Sequence, residues 1–171
     1  MAPDILFTAE QIQDRVRALA RQIAHAPLVP DICMPVLVGG FVFAADLLRA
    51  LSWEGVSLDV EMIWLRSYGD KRVASAISMI AGPSEQIAGR HVLVVDGVLD
   101  AGRTVAKAVS LIQAAGAASV QVAVMLDKQR ADAVAKADFI GFQVGNDFVV
   151  GYGMDDAGHD RGLPYIGKLP S

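Results

Sequence analysis

Residues 91–117 read HVLVVDGVLDAGRTVAKAVSLIQAAGA, and this stretch decides the fold. The apolar, largely β-branched segment after His91 predicts a central buried strand, and a helix is predicted to begin near Thr104. The chain must turn sharply between the two, and Gly102 permits backbone geometry that other residues avoid. Two carboxylates, Asp96 and Asp100, also lie in this connection, so it does more than turn the chain.

The connection has the features of an anion site. Consecutive amide N–H groups in a tight turn, followed by a helix N-terminus, bind phosphate, and Thr104 can add a hydroxyl donor. The stretch contains neither GxxxxGK[ST] nor GxGxxG after a strand, so it matches neither the P-loop nor the dinucleotide fingerprint. Carboxylates beside a phosphate must hold ribose hydroxyls, bind Mg²⁺ or move a proton. A phosphorylated sugar with free hydroxyls meets these demands.

Outward from this stretch, strands and helices alternate, which predicts an α/β fold with a parallel sheet flanked by helices. Thr8 and Gln11 form a capping box before a helix whose apolar stripe runs through Ile12, Val16, Leu19 and Ile23. Further segments predict strands at PVLVGG, SAISMIAG, SVQVAVMLD, FIGF and FVVGY, a helix at FVFAADLLRAL, and irregular chain after Gly151.

The segment VSLDVEMIWL, residues 56–65, reads as one longer strand. Its period of two places five apolar residues on one face and Ser57, Asp59 and Glu61 on the other. The apolar five are Val56, Leu58, Val60, Met62 and Trp64.

The bulk composition limits the class of protein. A chain of 171 residues with 53% hydrophobic residues is long enough for one compact domain. No apolar run reaches 18 residues, the N-terminus does not read as a secretory signal, and the single Cys33 allows no intrachain disulfide, so we expect a cytoplasmic protein without a membrane span. The net charge of −4 shows no basic excess, so no nucleic-acid partner is expected.

The segment VLVVDGVLDAGRT resembles the signature loop of type I phosphoribosyltransferases, which bind 5-phosphoribosyl 1-pyrophosphate (PRPP). It matches the usual pattern at Asp96, Asp100, Gly102 and Thr104. It departs at Gly97, where a second acid is usual, and at Ala101. Further segments resemble hypoxanthine-guanine phosphoribosyltransferases in the same order: VLVGGFVFAADLLRAL, IWLRSYGD, VMLDKQR and DFIGFQVGNDFVVGYGMDDAGHDRGLPYIGKL.

The resemblance implies one phosphoribosyltransferase domain over residues 1–171, with a core of about 30–150 and a small hood of about 151–171 plus N-terminal residues. It implies transfer of phosphoribosyl from PRPP to a 6-oxopurine, with Mg²⁺ as Lewis acid and release of pyrophosphate. Relatives are commonly dimers or tetramers, so we expect a homodimer or a homotetramer.

The resemblance also implies roles for the PRPP loop. Its last five residues should cradle the 5′-phosphate: Asp100, Ala101, Gly102, Arg103 and Thr104. Asp96 should hold the ribose hydroxyls, directly or through Mg²⁺. Asp100 should lie near purine N7 as general base, and the alternative is that it only caps the helix.

On the purine side, the resemblance implies that Lys128 points its ammonium at O6 and that Phe148 stacks on the ring. Val149 should contact the purine edge through its backbone. Asp155 should contact Mg²⁺ near the purine 2-position, although Asp156 is a neighbouring candidate for this role.

Pyrophosphate and lid residues are implied in the same way. Val38 and Gly39 occupy the pyrophosphate loop, and Val38 stands where many relatives carry a lysine or an arginine. Arg161 matches a hood arginine that binds pyrophosphate. Ser67 and Tyr68 should close over the reaction as a lid.

Gly97 leaves two hypotheses open. In the first, the protein is an enzyme and Asp96 with Mg²⁺ suffices for the ribose. In the second, it is a PRPP- or nucleotide-sensing regulatory protein with weak or no catalysis. The enzyme is favoured because the purine residues form a full set. An acid restored at position 97 is expected to tighten PRPP binding. The sequence leaves open the choice among hypoxanthine, guanine and xanthine; Lys128 and the hood argue against other bases.

Overall fold

The computed structural model describes residues 3–68 and 76–169, apart from the side chains of Tyr68 and Ala76. The strands are β1 Asp4–Phe7, β2 Ile32–Leu37, β3 Asp59–Val60, β4 Ile63–Tyr68, β5 Ala76–Ala81, β6 His91–Leu99, β7 Ser119–Asp127, β8 Phe139–Gln143, β9 Val149–Val150 and β10 Ile166–Lys168. The helices are α1 Ala9–Ala24, α2 Phe41–Trp53 and α3 Arg103–Ala114, with a short 3₁₀ turn at Glu85–Ile87.

The main sheet has seven strands, in the order β5-β4-β2-β6-β7-β8 with β3 also paired to β2. All of its pairings are parallel except β4 with β5, which is antiparallel. The predicted α/β architecture with a parallel sheet is therefore confirmed. Within the described ranges, no helix is both long and apolar enough to cross a bilayer.

Strand β6 is central and packs on both faces, as its apolar composition predicts. Leu93 and Val95 join the core under α1 and α2, whereas Val92 and Val94 join the core under α3. Such burial on both faces is typical of a parallel sheet covered by helices. Cys33 in the neighbouring β2 is also fully buried, and this burial raises the pKa of its thiol to about 12.

Helix α1 begins with the predicted capping box. The Thr8 N–H donates to Gln11 Oε1 at 2.9 Å, and the Gln11 N–H donates to Thr8 Oγ1 at 3.3 Å. The four residues of its predicted apolar stripe are all buried: Ile12, Val16, Leu19 and Ile23. This helix therefore has the boundary and the inward face that its sequence predicts.

The prediction of one strand over residues 56–65 is wrong. The segment forms two short strands, β3 and β4, and the residues buried in the second are Ile63 and Leu65. Val60 and Met62 are 47% and 53% exposed. Pro35 lies on β2 opposite the gap, where it has no N–H to continue the ladder. β2 therefore continues through Pro35, and the interruption falls between β3 and β4 on the neighbouring side of the sheet.

A second, antiparallel sheet joins the two ends of the described chain in the order β1-β10-β9. We refer to this sheet and residues 151–165 as the hood, after the region that the resemblance names, although residues 166–168 were predicted to be irregular and β1 was not predicted. Phe7 stacks on Phe142 with 3.9 Å between ring centroids, which attaches β1 to the main sheet. The hydroxyl of Tyr152 donates to Asp46 Oδ2 at 2.8 Å, which attaches the hood to α2.

Candidate active site

A cleft of about 470 Å³ opens at the carboxyl ends of β2 and β6 and at the N-terminus of α3. Ligand sites in open α/β sheets occur at this edge. Most of the residues predicted to bind PRPP line it together. The lining residues are Val36, Leu37, Gly39, Asp96, Val98, Asp100, Ala101, Gly102, Arg103, Thr104, Val105 and Arg130.

The turn before α3 has the predicted form of an anion site. Gly102 adopts φ 75° as the N-cap, and no side chain caps the helix. A Cβ at this position would also lie 2.9 Å from the amide nitrogen of Ala135, so the turn requires glycine for both reasons. The first-turn amides of α3 are left without a side-chain cap at the cleft, where an anion can accept from them.

Asp96 lies within β6 and not in the loop, because the strand continues to Leu99. Its side chain is buried, and its Oδ1 accepts a 2.7 Å hydrogen bond from the Gly97 N–H. Burial raises the pKa of Asp96 to about 7, although the Gly97 hydrogen bond lowers it. Asp96 therefore exchanges its proton close to neutral pH unless a bound cation or donor stabilises the carboxylate.

Gly97 lies against two other segments. A Cβ here would be 2.9 Å from the carbonyl oxygen of Gly39 and 3.2 Å from Met154 Cγ. An acid at this position would have to displace the backbone of the predicted pyrophosphate loop. The expectation that a restored acid tightens PRPP binding is therefore revised: the structure gives a steric reason for glycine.

Asp100 does not cap α3, because the N-cap is Gly102 and has no side-chain partner. Its carboxylate instead accepts from Lys128 Nζ at 3.0 Å and from Arg130 Nη1 at 2.9 Å. Burial raises the pKa of Asp100, but the hydrogen bonds and charges of Lys128 and Arg130 outweigh that effect, and the pKa falls below its usual value. Asp100 is thus an ionised carboxylate between two cations.

Arg130 was not among the predicted site residues, although it lines the cleft and contacts Asp100. The signal for it was its place just beyond the carboxyl end of a buried strand, two residues after Lys128. A charged residue in such a loop is common, so this signal does not distinguish Arg130 from its neighbours.

In the hood, Asp155 and Arg161 pair with each other and do not line the cleft. Arg161 Nη2 lies 2.7 Å from Asp155 Oδ1, and Arg161 Nη1 donates to the Gly153 carbonyl at 2.7 Å. Asp155 Oδ2 accepts from the Gly158 N–H at 2.6 Å. Asp156 is exposed, so of the two acids Asp155 is the one built into the hood.

The remaining predicted residues are not among those that line the cleft. Phe148 is 51% exposed, Val149 is buried, and Val38 is 40% exposed beside Gly39. Ser67 is exposed near the end of β4, where Tyr68 is the last residue of the strand. The rest of the predicted lid and the Tyr68 side chain lie outside the described residues.

The sequence is similar to proteins of known family. A phosphoribosyl transferase domain model matches residues 4–157. In an alignment of 172 positions the chain is 36% identical to the bifunctional protein TilS/HprT of Listeria innocua. The alignment covers 96% of this chain and 26% of that protein. It is 34% identical to the hypoxanthine-guanine phosphoribosyltransferase of Bacillus subtilis, covering 96% of this chain and 92% of that protein.

The fold is also similar to solved structures. The hypoxanthine phosphoribosyltransferase from Trypanosoma cruzi in complex with the product IMP has a TM-score of 0.88 and 33% identity. The match covers 99% of this chain and 95% of that one. The chain thus spans about a quarter of the bifunctional Listeria protein but nearly all of the Bacillus subtilis protein and of the Trypanosoma cruzi chain.

Proposed function

The chain belongs to the phosphoribosyltransferase family, and from this premise we propose that it transfers phosphoribosyl from PRPP to a 6-oxopurine, namely hypoxanthine, guanine or both. The products are the nucleoside monophosphate and pyrophosphate, so the reaction salvages purine bases. The observation that carries this proposal is the cleft itself. One cavity joins an uncapped helix N-terminus to two carboxylates, and Lys128 stands beside the second of them.

The PRPP end of the site uses the loop before α3. The 5′-phosphate accepts from the first-turn amides between Gly102 and Thr104, with Asp100, Ala101 and Arg103 completing the loop. Asp96 holds the ribose hydroxyls on the same side of the cleft. Its buried carboxylate becomes a strong acceptor once a bound cation or hydroxyl group keeps it ionised.

Mg²⁺ is part of the proposal, and Asp96 has the hard oxygen donors that it prefers. Within the described ranges no three His, Cys, Asp or Glu residues are grouped for a metal ion. The substrate oxygens would therefore complete the coordination, and Mg²⁺ would act as a Lewis acid on pyrophosphate and ribose oxygens. Asp155 is the second proposed ligand, but its two oxygens are engaged by Arg161 and Gly158, so it fits this role less well.

The pyrophosphate contacts come from the loop after β2 and from the hood. In the proposal the backbone N–H groups of Val38 and Gly39 donate to pyrophosphate, without the side-chain charge that a lysine would add. Arg161 supplies a guanidinium suited to paired oxygens, and to use it the arginine must share or leave its contact with Asp155.

The purine contacts involve Lys128 and the β9 region. Lys128 donates to O6, exposed Phe148 stacks on the ring, and the backbone of Val149 contacts the purine edge. Asp100 then accepts the proton that leaves as N9 becomes bonded to ribose. Ser67 and Tyr68 close over the site. Nothing in the chemistry of these groups distinguishes hypoxanthine from guanine.

Two further parts of the proposal concern the whole protein. The chain is proposed to assemble as a homodimer or homotetramer, which light scattering of the purified protein would measure. A cytoplasmic location is proposed as well, and the presence of a single, buried cysteine favours it.

The test is an assay of the purified protein with PRPP, Mg²⁺ and each of hypoxanthine, guanine, xanthine and adenine. Pyrophosphate release and nucleotide formation are expected with hypoxanthine or guanine. Adenine should be turned over poorly, because its amino group at C6 leaves Lys128 without an acceptor. Turnover of adenine equal to that of hypoxanthine would contradict the Lys128 assignment. PRPP binding without any turnover would favour the sensing protein instead.

A further inference from the structure

The loop after β7 carries the charged residues Lys128, Arg130 and Asp132, and Arg130 lines the cleft. Asp132 holds Arg130 through two hydrogen bonds, from Nε to Oδ1 at 2.9 Å and from Nη2 to Oδ2 at 2.8 Å. Nη1 of the same guanidinium donates to Asp100 Oδ1 at 2.9 Å, and Lys128 Nζ donates to Asp100 Oδ2 at 3.0 Å. Each oxygen of the Asp100 carboxylate therefore has its own cation.

The backbone joins this loop to the loop that carries Asp100. The Lys128 N–H donates to the Leu99 carbonyl at 3.0 Å, and the Val134 N–H donates to the Ala101 carbonyl at 3.0 Å. These two bonds enclose the segment that contains Arg130. The guanidinium is thus fixed relative to Asp100 through the main chain as well as through Asp132.

Lys128 and Arg130 differ in what each can do when substrate binds. In the proposed function Lys128 turns its ammonium to purine O6, and its flexible stem allows this movement. Arg130 is a planar fork with one edge held by Asp132, so it stays on Asp100. We infer that Arg130 is a positioning residue, which keeps Asp100 oriented for proton transfer while Lys128 binds the purine. This inference rests on the proposed function, and it assigns to Asp132 the task of fixing the guanidinium plane.

The charge of Arg130 matters as well as its geometry. The charged groups that contact Asp100 are Lys128 and Arg130, and Asp96 and Arg103 line the same cleft. When Lys128 leaves, the pKa of Asp100 rises and the carboxylate becomes a better base. The remaining guanidinium limits that rise and continues to favour the ionised form of Asp100.

The kinetic test compares Arg130→Gln, Arg130→Lys and Asp132→Asn with the wild type, using PRPP, Mg²⁺ and hypoxanthine across a range of pH. Arg17→Gln is the matched control, because Arg17 forms an exposed pair with Asp14 on α1. Arg130→Gln should lower kcat about 10-fold or more, since a catalytic group displaced by 1 Å can cost roughly 100-fold. The KM for PRPP should change less than about twofold.

The pH profile separates positioning from simple packing. Without Arg130 the pKa of Asp100 rises, so the acid limb of the kcat profile should move to higher pH. Arg130→Lys should restore part of kcat, and Asp132→Asn should fall between the wild type and Arg130→Gln. A raised KM for PRPP with unchanged kcat would instead make Arg130 a phosphate ligand and overturn the proposal. Unchanged kcat, KM and pH profile would make it a surface ion pair and overturn it equally.

A measurement that does not depend on turnover tests the effect of Arg130 on Asp100 even if the proposed function is wrong. Carbon-detected NMR of the Asp100 carboxyl during an acid titration reports its pKa in the wild type, in Arg130→Gln and in Arg17→Gln. The proposal expects a higher pKa in Arg130→Gln only. An equal pKa in all three proteins would overturn it whether or not the wild type converts purines.

Discussion

Asp100 is the residue on which the proposed chemistry depends most. A general base must accept a proton, which a carboxylate can do. A residue that only shapes the loop does not need this property. Asp100→Asn keeps the size of the side chain but removes the proton acceptor, so kcat should fall by roughly 10²–10⁴ while PRPP still binds. Steady-state kinetics together with PRPP titration measure both quantities. Asp14→Asn, on the exposed face of α1, is the control. A near-native kcat in Asp100→Asn would remove this residue from the catalytic set.

Asp96 shows how a buried carboxylate affects stability. Its pKa in the folded protein is about 7, compared with 3.8 for an ordinary Asp. Because the folded state binds the Asp96 proton more tightly, the contribution of Asp96 to stability is fully present below about pH 4 and is lost as pH rises toward 7. A difference of about three pKa units corresponds to about 4 kcal/mol once both states are ionised.

Asp96→Asn removes this dependence and keeps an acceptor for the Gly97 N–H. The variant should gain stability over the wild type between pH 4 and pH 8, by up to about 4 kcal/mol, and should bind PRPP more weakly. Urea unfolding of both proteins at several pH values measures the difference. If the two curves run parallel across this range, the buried carboxylate is ionised throughout and the assignment of its pKa is wrong.

At the scale of elements, the site depends on close approaches between segments that are distant in the chain. The carbonyl oxygen of Gly39 would lie 2.9 Å from a Cβ atom at residue 97 and 2.7 Å from one at residue 153. The loop after β2, the end of β6 and the hood therefore meet without room for side chains at residues 97 and 153. Their glycines make this contact possible.

Gly97→Ala should therefore displace the Gly39 backbone and weaken PRPP binding. Overpacking of this kind costs about 1–3 kcal/mol, which corresponds to roughly 5-fold to 150-fold in Kd where the whole cost falls on the bound form. Gly97→Asp should weaken binding too, because its Cβ meets the same carbonyl. Calorimetric titration with PRPP and Mg²⁺ measures both variants, with Gly145→Ala as a control at an open position. Tighter binding by Gly97→Asp would mean that the loop yields and that the acid reaches the ribose.

The elements with long regular patterns could be predicted from sequence, and those set by distant partners could not. Helix α1 buries one face and strand β6 buries both, so the pattern of apolar residues in each segment directly indicates the element. Strand β10 has three residues and forms because β1 and β9 lie on either side of it. The break between β3 and β4 depends on Pro35 of another strand, which no pattern within residues 56–65 records.

The candidate site divides in the same way. Asp96, Gly102 and Thr104 could be placed at one cleft because strand ends and helix starts are local features. The ion pairs of Asp100 with Lys128 and Arg130 join loops about 30 residues apart in the chain. The pairing of Arg161 with Asp155 is local, yet several acids nearby were equally available, and only the folded geometry selects one.

At the scale of the whole molecule, the two ends of the described chain support the region proposed to bind the purine. Strand β1 pairs with β10, β10 pairs with β9, and the Leu169 N–H donates to the Phe148 carbonyl at 3.0 Å. The stack of Phe7 on Phe142 anchors this sheet to the main one. A change at the N-terminus should therefore reach Phe148 through the hood.

Phe7→Ala should raise the KM for the purine more than the KM for PRPP, and it should cost about 2 kcal/mol or more of stability. Steady-state kinetics with each substrate varied in turn, and thermal unfolding, measure the two effects. Ile5→Ala is the control on the same strand, since Ile5 is 57% exposed. Equal changes in both KM values would show that the hood does not act selectively on the purine.

Because Cys33 is buried, chemical labelling of its thiol reports the unfolding of the protein. Thiol reagents attack only the thiolate of an accessible cysteine, and this sulfur is shielded from solvent with its pKa raised to about 12. Labelling should therefore wait until β2 separates from its neighbours, and its rate should follow the opening of the central sheet. Mass spectrometry after timed pulses of reagent would measure that rate on the unmodified sequence. PRPP should slow the labelling in proportion to its occupancy, which would give binding constants even for variants that have lost turnover. Rapid labelling of the native protein would show that the centre of the sheet opens without global unfolding.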